Sequence, residues 1–429
     1  MEPEQFANGK WTAGVVGLGY VGLPLAVTAA LRGLDVVGFD ISDHRVEELR
    51  RGSSHVEDVP PAELAAALEL GAIFTNEPWE LTNADAIFIT VPSPLGRNRQ
   101  PDMSYIESAA ETVAAVARPG QMISLESTTY PGTTEDYLVT ALEEAGLTLD
   151  KDVFVCFSPE RVDPGNVLHT RDIPKVVGGV TERSGDVGVS AYERLVANVH
   201  RVSSARAAEL TKLLENTYRA VNIAMVNELA QIAHAFDINT WEVIDAAATK
   251  PFGFQAFYPG PGVGGHCIPL DPQFLAWRAK ELRVATRFID LAEDINLHMP
   301  QYVVSRIADE LNQKGRALAG TRILGVGVAY KKNIADDRES PSIDVLRLLE
   351  GKGATVALID PHVPESQLVR HGFRVANPTE ELGGWDVAVV LTDHDATDYV
   401  ALAAQADTVF DTRGVYRRKG IQAGNVVAM

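Results

Sequence analysis

The chain has 429 residues, 46% of them hydrophobic, so it is long enough for two or three domains that each bury a core. Its formal net charge of −20 argues against nucleic acid and anionic membrane surfaces as partners, because both require clustered lysine and arginine. The sequence contains no run of about 18 apolar residues, and residues 1–5 lack the basic and apolar regions of a signal peptide. We therefore expect a soluble cytoplasmic protein.

A glycine-rich turn near the amino terminus lies between a short apolar segment and a helical one. Gly17 allows a tight turn, Gly19 lets the backbone approach a pyrophosphate, and Gly22 permits close packing of the helix. The next predicted strand ends at Asp40, 18 residues after Gly22, where an acid accepts the ribose hydroxyls of NAD. The turn predicts a dinucleotide site for NAD, and the nearby Arg45 keeps NADP open as the alternative.

Further apolar segments are predicted to extend the same parallel sheet, at residues 84–91, 121–126 and 153–157. Open parallel sheets bind ligands at the carboxyl ends of their strands. The turns at these ends contain Pro92 and Ser93, then Thr128, then Glu160. Thr128 and Glu160 are therefore candidate site residues by position.

The middle of the chain, residues 206–236, has a helical pattern without glycine or proline, longer than most globular helices. Such a helix commonly joins domains and packs against its twin, so a homodimer through this helix is predicted. Lys212 and Asn216 lie four positions apart on one face, where an ordinary helix would expose them to solvent.

Alternation of strand and helix resumes after Gly320 and predicts a second doubly wound domain. Its predicted strands are residues 321–330, 355–360, 386–391 and 408–411. The strand ends carry a local set of cations on an otherwise acidic chain, namely Lys331, Lys332, Arg338 and Arg413. A second phosphorylated ligand is expected there.

The chain has only two cysteines, so a disulfide framework is not expected. Cys156 lies within the apolar run 153–157 and is predicted to be a small buried hydrophobe. Cys267 lies in a loop rich in glycine and proline, whose backbone N–H groups can favour a thiolate, so it is the predicted nucleophile. Asp271 is its predicted partner rather than His266, because adjacent residues rarely face one another.

Together these motifs resemble the nucleotide-sugar 6-dehydrogenases, the UDP-glucose and UDP-N-acetylhexosamine dehydrogenase family. The resemblance covers nearly the whole chain and rests on residues 17–24, 158–162, 209–216, 259–272, 331–333, 337–340 and 411–413. It implies an α/β fold with two doubly wound Rossmann-like domains joined by a long central helix and a helical middle domain. The expected limits are 1–202 for the NAD-binding domain, 203–300 for the central domain and 318–429 for the nucleotide-sugar-binding domain.

The resemblance also implies a reaction and residue roles. The C6 alcohol of the sugar becomes an aldehyde and then a carboxylate, two NAD are reduced, and Cys267 carries a thiohemiacetal and a thioester. Lys212 and Asn216 would stabilise the oxyanion, and Asp271 with Lys212 would handle the proton. Glu160 would serve thioester hydrolysis, with Thr128 positioning the water.

Binding residues complete the prediction, with NAD as cofactor and no metal. Lys331 and Arg413 would hold the substrate diphosphate, and Arg338 the cofactor. The predicted cofactor set is Gly17, Gly19, Tyr20, Val21, Gly22, Asp40, Arg45, Pro92, Ser93, Thr128 and Arg338. The predicted substrate set is Glu160, Arg161, Val162, Lys212, Asn216, Tyr258, Gly260, Gly264, Tyr330, Lys331 and Arg413.

The predicted substrate is UDP-N-acetylglucosamine. Residues 158–162 and 259–267 look like the N-acetylhexosamine branch, and residues 251–254 resemble UDP-N-acetylglucosamine enzymes and lack an arginine that many N-acetylmannosamine enzymes carry. UDP-glucose, dTDP-glucose, UDP-N-acetylmannosamine and UDP-N-acetylgalactosamine are the alternatives. Two other classes are a hydroxyacid or decarboxylating dehydrogenase, which would need neither Cys267 nor a second Rossmann-like domain, and an inactive nucleotide-sugar-binding protein.

Overall fold

The computed structural model describes residues 3–56, 58–96, 99–161, 172–377 and 382–429. The chain forms two compact units, one of Met1–Glu215 with Gln273–Val284, the other of Asn216–Pro272 with Ala285–Met429. Each unit contains one sheet. The three domain ranges expected from the sequence stay predictions.

The first unit is built on an eight-stranded sheet. Its strands are β1 (Thr12–Val16), β2 (Asp35–Phe39), β3 (Ile73–Thr75), β4 (Ala86–Ile89), β5 (Gln121–Leu125), β6 (Val153–Phe157), β7 (Lys175–Gly179) and β8 (Val199–Val202). They pair in the order β3-β2-β1-β4-β5-β6-β7-β8, and every pair is parallel except β6 with β7. The first six strands follow the doubly wound order of dinucleotide-binding folds, which reverses between β1 and β4.

Helices cover this sheet: α1 (Pro3–Asn8), α2 (Gly22–Leu31), α3 (Asp43–Arg50), α4 (Pro61–Glu69), α5 (Ser104–Val116), α6 (Thr140–Glu144) and α7 (Glu182–Tyr192). Two apolar clusters form the core, with Phe88 in one and its neighbours Ile87 and Ile89 in the other. Successive strand residues point to opposite faces, so the sheet is buried on both sides. This explains why its central strands read as continuous apolar runs.

Four helices follow in the chain: α8 (Ala205–Ala235), α9 (Thr240–Ala248), α10 (Asp271–Glu281) and α11 (Arg287–Gln313). The predicted long helix is confirmed as α8, within one residue at each end. Helix α11, which contains Pro300, was not predicted from the sequence. Proline normally ends or kinks a helix, and here the buried apolar residues of α11 outweigh that cost.

The second unit contains a six-stranded sheet of β9 (Arg322–Val326), β10 (Thr355–Ile359), β11 (Arg374–Val375), β12 (Val387–Val390), β13 (Val409–Asp411) and β14 (Val426–Ala428). The strands are all parallel, in the order β11-β10-β9-β12-β13-β14, with helices α12 (Pro341–Gly351), α13 (Glu365–Leu368), α14 (Tyr399–Gln405) and α15 (Val415–Arg418). The predicted strand 321–330 is too long, because Gly327 turns the chain at φ +78° just after β9. The expected fold class is confirmed. Across the described ranges, none of the helices combines the length and apolar character needed to cross a membrane.

Candidate active site

The glycine turn after β1 has the conformation that a phosphate-binding turn requires. Gly17 has φ +88°, and its N–H donates to Phe39 O at 2.8 Å. A Cβ on Gly22 would overlap Gly17 O and the Thr90 hydroxyl, whereas a Cβ on Gly19 would meet no atom within 4 Å. The three glycines therefore serve a turn, an open approach and a close helix contact, as predicted. Val21 is the residue before α2, and Tyr20 is exposed.

Asp40 lies at the end of β2 beside this turn. Its buried carboxylate accepts the Leu18 N–H at 2.8 Å and the Ser42 N–H at 2.9 Å. Arg45 donates to the same carboxylate at 2.8 Å. The acid expected to bind ribose is thus present at the strand end, and the arginine that kept NADP open is paired with it. These residues and the open face over Gly19 fit the dinucleotide predicted from the sequence.

The other predicted cofactor residues of this unit follow the ends of β4 and β5. Pro92 is exposed and Ser93 half-buried after β4, and Thr128 is half-buried after β5. Parallel pairing of β1, β4 and β5 brings the turns that follow them to the same edge as the glycine turn. That edge is where ligands bind in open α/β sheets.

Glu160 follows β6 and is contacted by two lysines. The Lys175 ammonium donates to Glu160 Oε2 at 2.9 Å, and the Arg161 N–H donates to Oε1 at 2.7 Å. Lys212 of α8 donates to the Glu160 backbone oxygen at 2.7 Å and is only 8% exposed. Lys212 therefore does not face solvent, as a lysine on an ordinary helix would. It is a buried cation next to Glu160.

Arg161 is held by partners within the protein. Its guanidinium pairs with Glu215 at 2.6 Å and donates to Pro174 O at 2.9 Å. Substrate binding by Arg161 stays a prediction. Val162 lies outside the described residues.

Lys175, which contacts Glu160, and Glu126, which pairs with Lys175, were not predicted from the sequence. Lys175 of β7 pairs with Glu126, the residue that follows β5, at 2.5 Å, and both side chains are buried. A carboxylate at a strand end was a readable signal for Glu126. Lys175 gave none, because strand β7 was not predicted and the sequence does not reveal which residue a lysine pairs with.

In the second unit, the predicted proton carrier is held in place beside the cysteine loop. Asn216 donates to Asp271 Oδ2 at 2.5 Å, and both residues are buried. The Asp271 N–H donates to Cys267 O at 2.9 Å, so α10 begins one turn after the exposed Cys267 thiol. The structure thus brings Asn216, Asp271 and the Cys267 backbone together. A helix start near a thiol favours the thiolate.

Cys156 differs from Cys267 in every respect that matters for reactivity. It is buried in the core under the first sheet, and burial raises the pKa of its thiol to about 12. It therefore stays an uncharged thiol at neutral pH.

His266 lies near several charged residues, one of which is Arg338. Partial loss of solvation lowers the pKa of His266, although the residue as a whole is exposed, and the nearby Arg338 guanidinium lowers it further. Arg338, a predicted cofactor residue, itself donates to Asp336 through two nitrogens, at 2.8 and 2.6 Å. A cofactor contact by Arg338 stays a prediction.

Close packing joins four of the predicted substrate residues in pairs. A Cβ on Gly264 would lie 2.9 Å from Tyr330 Cβ, and a Cβ on Gly260 would lie 2.5 Å from an Arg413 guanidinium nitrogen. Arg413 also donates to Leu391 O at 2.7 Å, and burial lowers the pKa of its guanidinium. A half-buried cation with reduced hydration gains from an anionic ligand, which fits the predicted diphosphate contact.

Two further predicted substrate residues, Lys331 and Tyr258, are at least partly accessible to solvent. Lys331 is half-buried in the loop after β9, next to Lys332, which pairs with Asp395 at 2.8 Å. Tyr258 is exposed and donates to Asp245 at 2.9 Å. Their roles toward substrate stay predictions.

Two asparagines that were not predicted from the sequence, Asn227 buried and Asn296 half-buried, support the Gly260 loop. Asn227 of α8 accepts the Gly260 N–H at 3.0 Å and donates to Asn296 of α11 at 2.9 Å. Asn296 in turn donates to Ala220 O at 3.2 Å. The loop that leaves room for Arg413 is thereby tied to two helices. Two asparagines 69 residues apart offer no sequence pattern that predicts their pairing.

The glycine turn yields a prediction that separates folding from cofactor binding. Gly22→Ala should lower the free energy of unfolding by about 1–3 kcal/mol, because its Cβ overlaps backbone and side-chain atoms. Gly19→Ala should leave stability unchanged and raise the dissociation constant for NAD at least about tenfold, since it fills only the open approach. Thermal unfolding and calorimetric titration with NAD measure the two effects. Gly424→Ala, also in open space, is the control; equal effects of all three variants would contradict this reading of the turn.

Comparison with known proteins agrees with this geometry. Three regions match the domains of the UDP-glucose/GDP-mannose dehydrogenase family: residues 12–196 its NAD-binding domain, 206–298 its central domain and 324–418 its UDP-binding domain. The NAD-binding match confirms NAD as the cofactor; its position at the glycine turn stays a prediction.

Individual relatives span nearly the whole chain. An NDP-N-acetyl-D-galactosaminuronic acid dehydrogenase from Ralstonia nicotianae is 35% identical, covering 96% of this chain and 98% of its own. A UDP-N-acetyl-D-glucosamine 6-dehydrogenase from Pseudomonas aeruginosa is 37% identical, covering 89% and 90%. The solved structure of a UDP-D-ManNAc dehydrogenase from Pyrococcus horikoshii superposes with a TM-score of 0.88 at 30% identity, covering 97% and 98%. The chain therefore belongs to the UDP-glucose/GDP-mannose dehydrogenase family and is an NAD-dependent nucleotide-sugar dehydrogenase.

Proposed function

We propose that the protein oxidises the C6 alcohol of UDP-N-acetylglucosamine to the carboxylate, a four-electron reaction that uses Cys267 as a covalent nucleophile. The observation that carries the proposal is the cluster of the second unit, in which buried Asp271, held by Asn216, begins the helix one turn after the exposed Cys267. A two-electron alcohol dehydrogenase has no need of a nucleophile.

The proposed reaction consists of two oxidations, one addition of the thiolate and one hydrolysis. NAD bound at the Gly17 turn would accept one hydride from C6 in each of two oxidations. Between them, the Cys267 thiolate would add to the aldehyde carbon, so that a C–S bond forms as the C=O π bond breaks. The resulting oxyanion would take back from Asp271 the proton that the alcohol gave up, and would return it when the second hydride leaves. After the second oxidation the product on Cys267 is a thioester. Water then adds to its carbonyl, the C–S bond breaks, and the carboxylate leaves with the thiolate restored.

The chain's own polar residues supply the charge stabilisation. Lys212 is a buried cation on α8 and would stabilise the oxyanion, which a preorganised charge does best in a site that excludes water. Asp271, fixed by Asn216, would accept the proton of the alcohol. Glu160 would take a proton from the hydrolytic water. Arg413 and Lys331 would bind the diphosphate.

The choice of sugar rests on the sequence of residues 251–254. Relatives with similar identity are named for N-acetylgalactosaminuronic acid, N-acetylglucosamine and N-acetylmannosamine. The motif at residues 251–254 favours UDP-N-acetylglucosamine among these. UDP-N-acetylgalactosamine is the second candidate, because it differs from UDP-N-acetylglucosamine only in the configuration of one hydroxyl, and the relative named for N-acetylgalactosaminuronic acid covers 96% of the chain against 89%.

The test is the NADH yield of the purified protein with each of five sugars in parallel: UDP-N-acetylglucosamine, UDP-N-acetylgalactosamine, UDP-N-acetylmannosamine, UDP-glucose and dTDP-glucose. We expect two NADH for each UDP-N-acetylglucosamine, with an acidic product. Two NADH from another sugar would keep the reaction and change the substrate. One NADH per sugar would contradict the covalent mechanism.

We also propose a homodimer through α8. Met225, Ile232 and Phe236 repeat at intervals of seven and four residues, which places them on one face, and all three are exposed, Phe236 to 72%. Exposed apolar faces of this kind mark protein interfaces. Met225→Glu should therefore shift the protein from dimer to monomer in sedimentation velocity. His234→Glu, exposed on the opposite side of the helix, is the control, and a Met225→Glu protein that remains dimeric would refute this interface.

A further inference from the structure

Lys175 binds two carboxylates at once, and one of them is the proposed hydrolytic residue. Its ammonium lies 2.5 Å from Glu126 and 2.9 Å from Glu160. The side chain is 4% exposed, and that of Glu126 is fully buried. Burial alone would lower the pKa of Lys175, but the two carboxylates outweigh it and raise this pKa, so the residue stays an ammonium.

A second layer holds Glu126. The Tyr192 hydroxyl of α7 donates to Glu126 at 2.6 Å, and Tyr192 is itself 2.8 Å from the Ser124 hydroxyl. Because burial raises the pKa of Tyr192 well above its usual value, the phenol keeps the proton that it donates. Because Tyr192 uses that proton toward Glu126, Ser124 must be the donor to Tyr192. The relay thus runs from Ser124 on β5 to Tyr192, Glu126, Lys175 and finally Glu160.

The burial of this ion pair is not explained by the stability of the fold. Burying a lysine and a glutamate rarely stabilises a protein more than apolar residues of similar size would. What the pair achieves is geometric: a glutamate side chain has three rotatable bonds, and here one oxygen of Glu160 is held by an ammonium anchored in the sheet and the other by the Arg161 N–H.

We propose that Lys175, anchored by Glu126 and Tyr192, is the positioning residue for Glu160, and that it acts on thioester hydrolysis rather than on either oxidation. The inference rests on the proposed covalent mechanism. Glu160 must lie where it accepts a proton from the water as the water adds to the thioester carbonyl. A Glu160 that rotates freely leaves the thioester intact, while alcohol oxidation and thiol addition, which use Asp271, Lys212 and Cys267, proceed.

The test uses a variant that removes the ion pair without leaving a buried charge. Lys175→Met alone would leave Glu126 unpaired, so the double variant Lys175→Met/Glu126→Gln is compared with wild type and with the conservative Lys175→Arg. Thermal unfolding checks that each is folded. Enzyme is mixed with NAD and the sugar that wild type oxidises, and its intact mass is followed during turnover.

We expect the double variant to release about two NADH per site in a burst, then turn over at least about tenfold more slowly than wild type. This loss is smaller than the about 10²–10⁴-fold that a general base contributes, because Glu160 itself is still present. Most of the enzyme should carry the added mass of the nucleotide-sugar acyl group, with KM values near those of wild type. Lys175→Arg should restore turnover and lose the adduct. A merely structural role would lower the burst and the turnover together, without an adduct.

A folded double variant that shows no adduct, or that turns over like wild type, overturns the inference. If the double variant does not fold, Tyr192→Phe carries the test: it loses only the hydroxyl that holds Glu126, and the absence of any adduct there also overturns the proposal. Failure of the proposed function is distinguishable, because wild type itself would then yield fewer than two NADH per sugar.

Discussion

Cys267→Ser is expected to abolish acid formation, lowering kcat by at least about 10³-fold, because a serine hydroxyl is not ionised at neutral pH and forms no thioester. NAD binding should be unchanged, since serine keeps nearly the size of the cysteine side chain and the glycine turn at Gly17, Gly19 and Gly22 is left intact. The measurement is NADH and acid produced per sugar, with NAD affinity by calorimetry. Accumulation of aldehyde with one NADH would also agree with loss of the nucleophile.

Cys156→Ala is the matched control. It removes the other cysteine, which is buried and uncharged, and should leave two NADH per sugar and cost only stability. Should Cys267→Ser still yield two NADH per sugar at the normal rate, the covalent mechanism is wrong.

The second large effect concerns Lys212. Lys212→Met keeps most of the side-chain volume and removes the ammonium, so we expect kcat to fall by about 10²–10³-fold, the cost of losing one oxyanion donor. KM for the sugar should change little, because the charge acts on the transition state rather than on the bound diphosphate. Steady-state kinetics at saturating NAD measures both parameters.

Lys151→Met, at an exposed position, is the control and should retain full activity. Because Lys212 also donates to the Glu160 backbone oxygen, thermal unfolding of Lys212→Met must be recorded alongside. A variant that is folded and retains wild-type kcat would exclude Lys212 from the chemistry.

The first nucleotide site could be predicted from the sequence because its requirements are local. A turn at Gly17, an open approach at Gly19 and a close contact at Gly22 each depend on residues adjacent in the chain, and the strands beside them are short apolar runs. Helix α8 was predictable for the same reason, since its period is carried by the residues themselves. Cys267 stood out because a glycine-rich loop is not core sequence.

Other elements were decided by pairing partners far apart in the chain. Strands β3, β7, β8, β11 and β14 were not predicted, and three of them have only two or three residues. The antiparallel pairing of β6 with β7 also departs from the expected parallel sheet. A short strand carries too little periodicity to be recognised, and its direction is set by the sheet edge that it joins.

The features of the site also divide into those that depend on adjacent residues and those that depend on contacts between separate elements. The chemical groups and their local backbone could be identified from the amino-acid sequence alone: the glycine turn, the acid that follows β2, the cysteine loop and the two polar residues on α8. Which of these groups lose their water, and what they bind, depends on tertiary packing, because burial and ion pairing join residues from separate elements. Lys212 became a buried cation in this way, and Lys175, for which the sequence carried no signal, came to bind Glu160 while Glu126 anchors it.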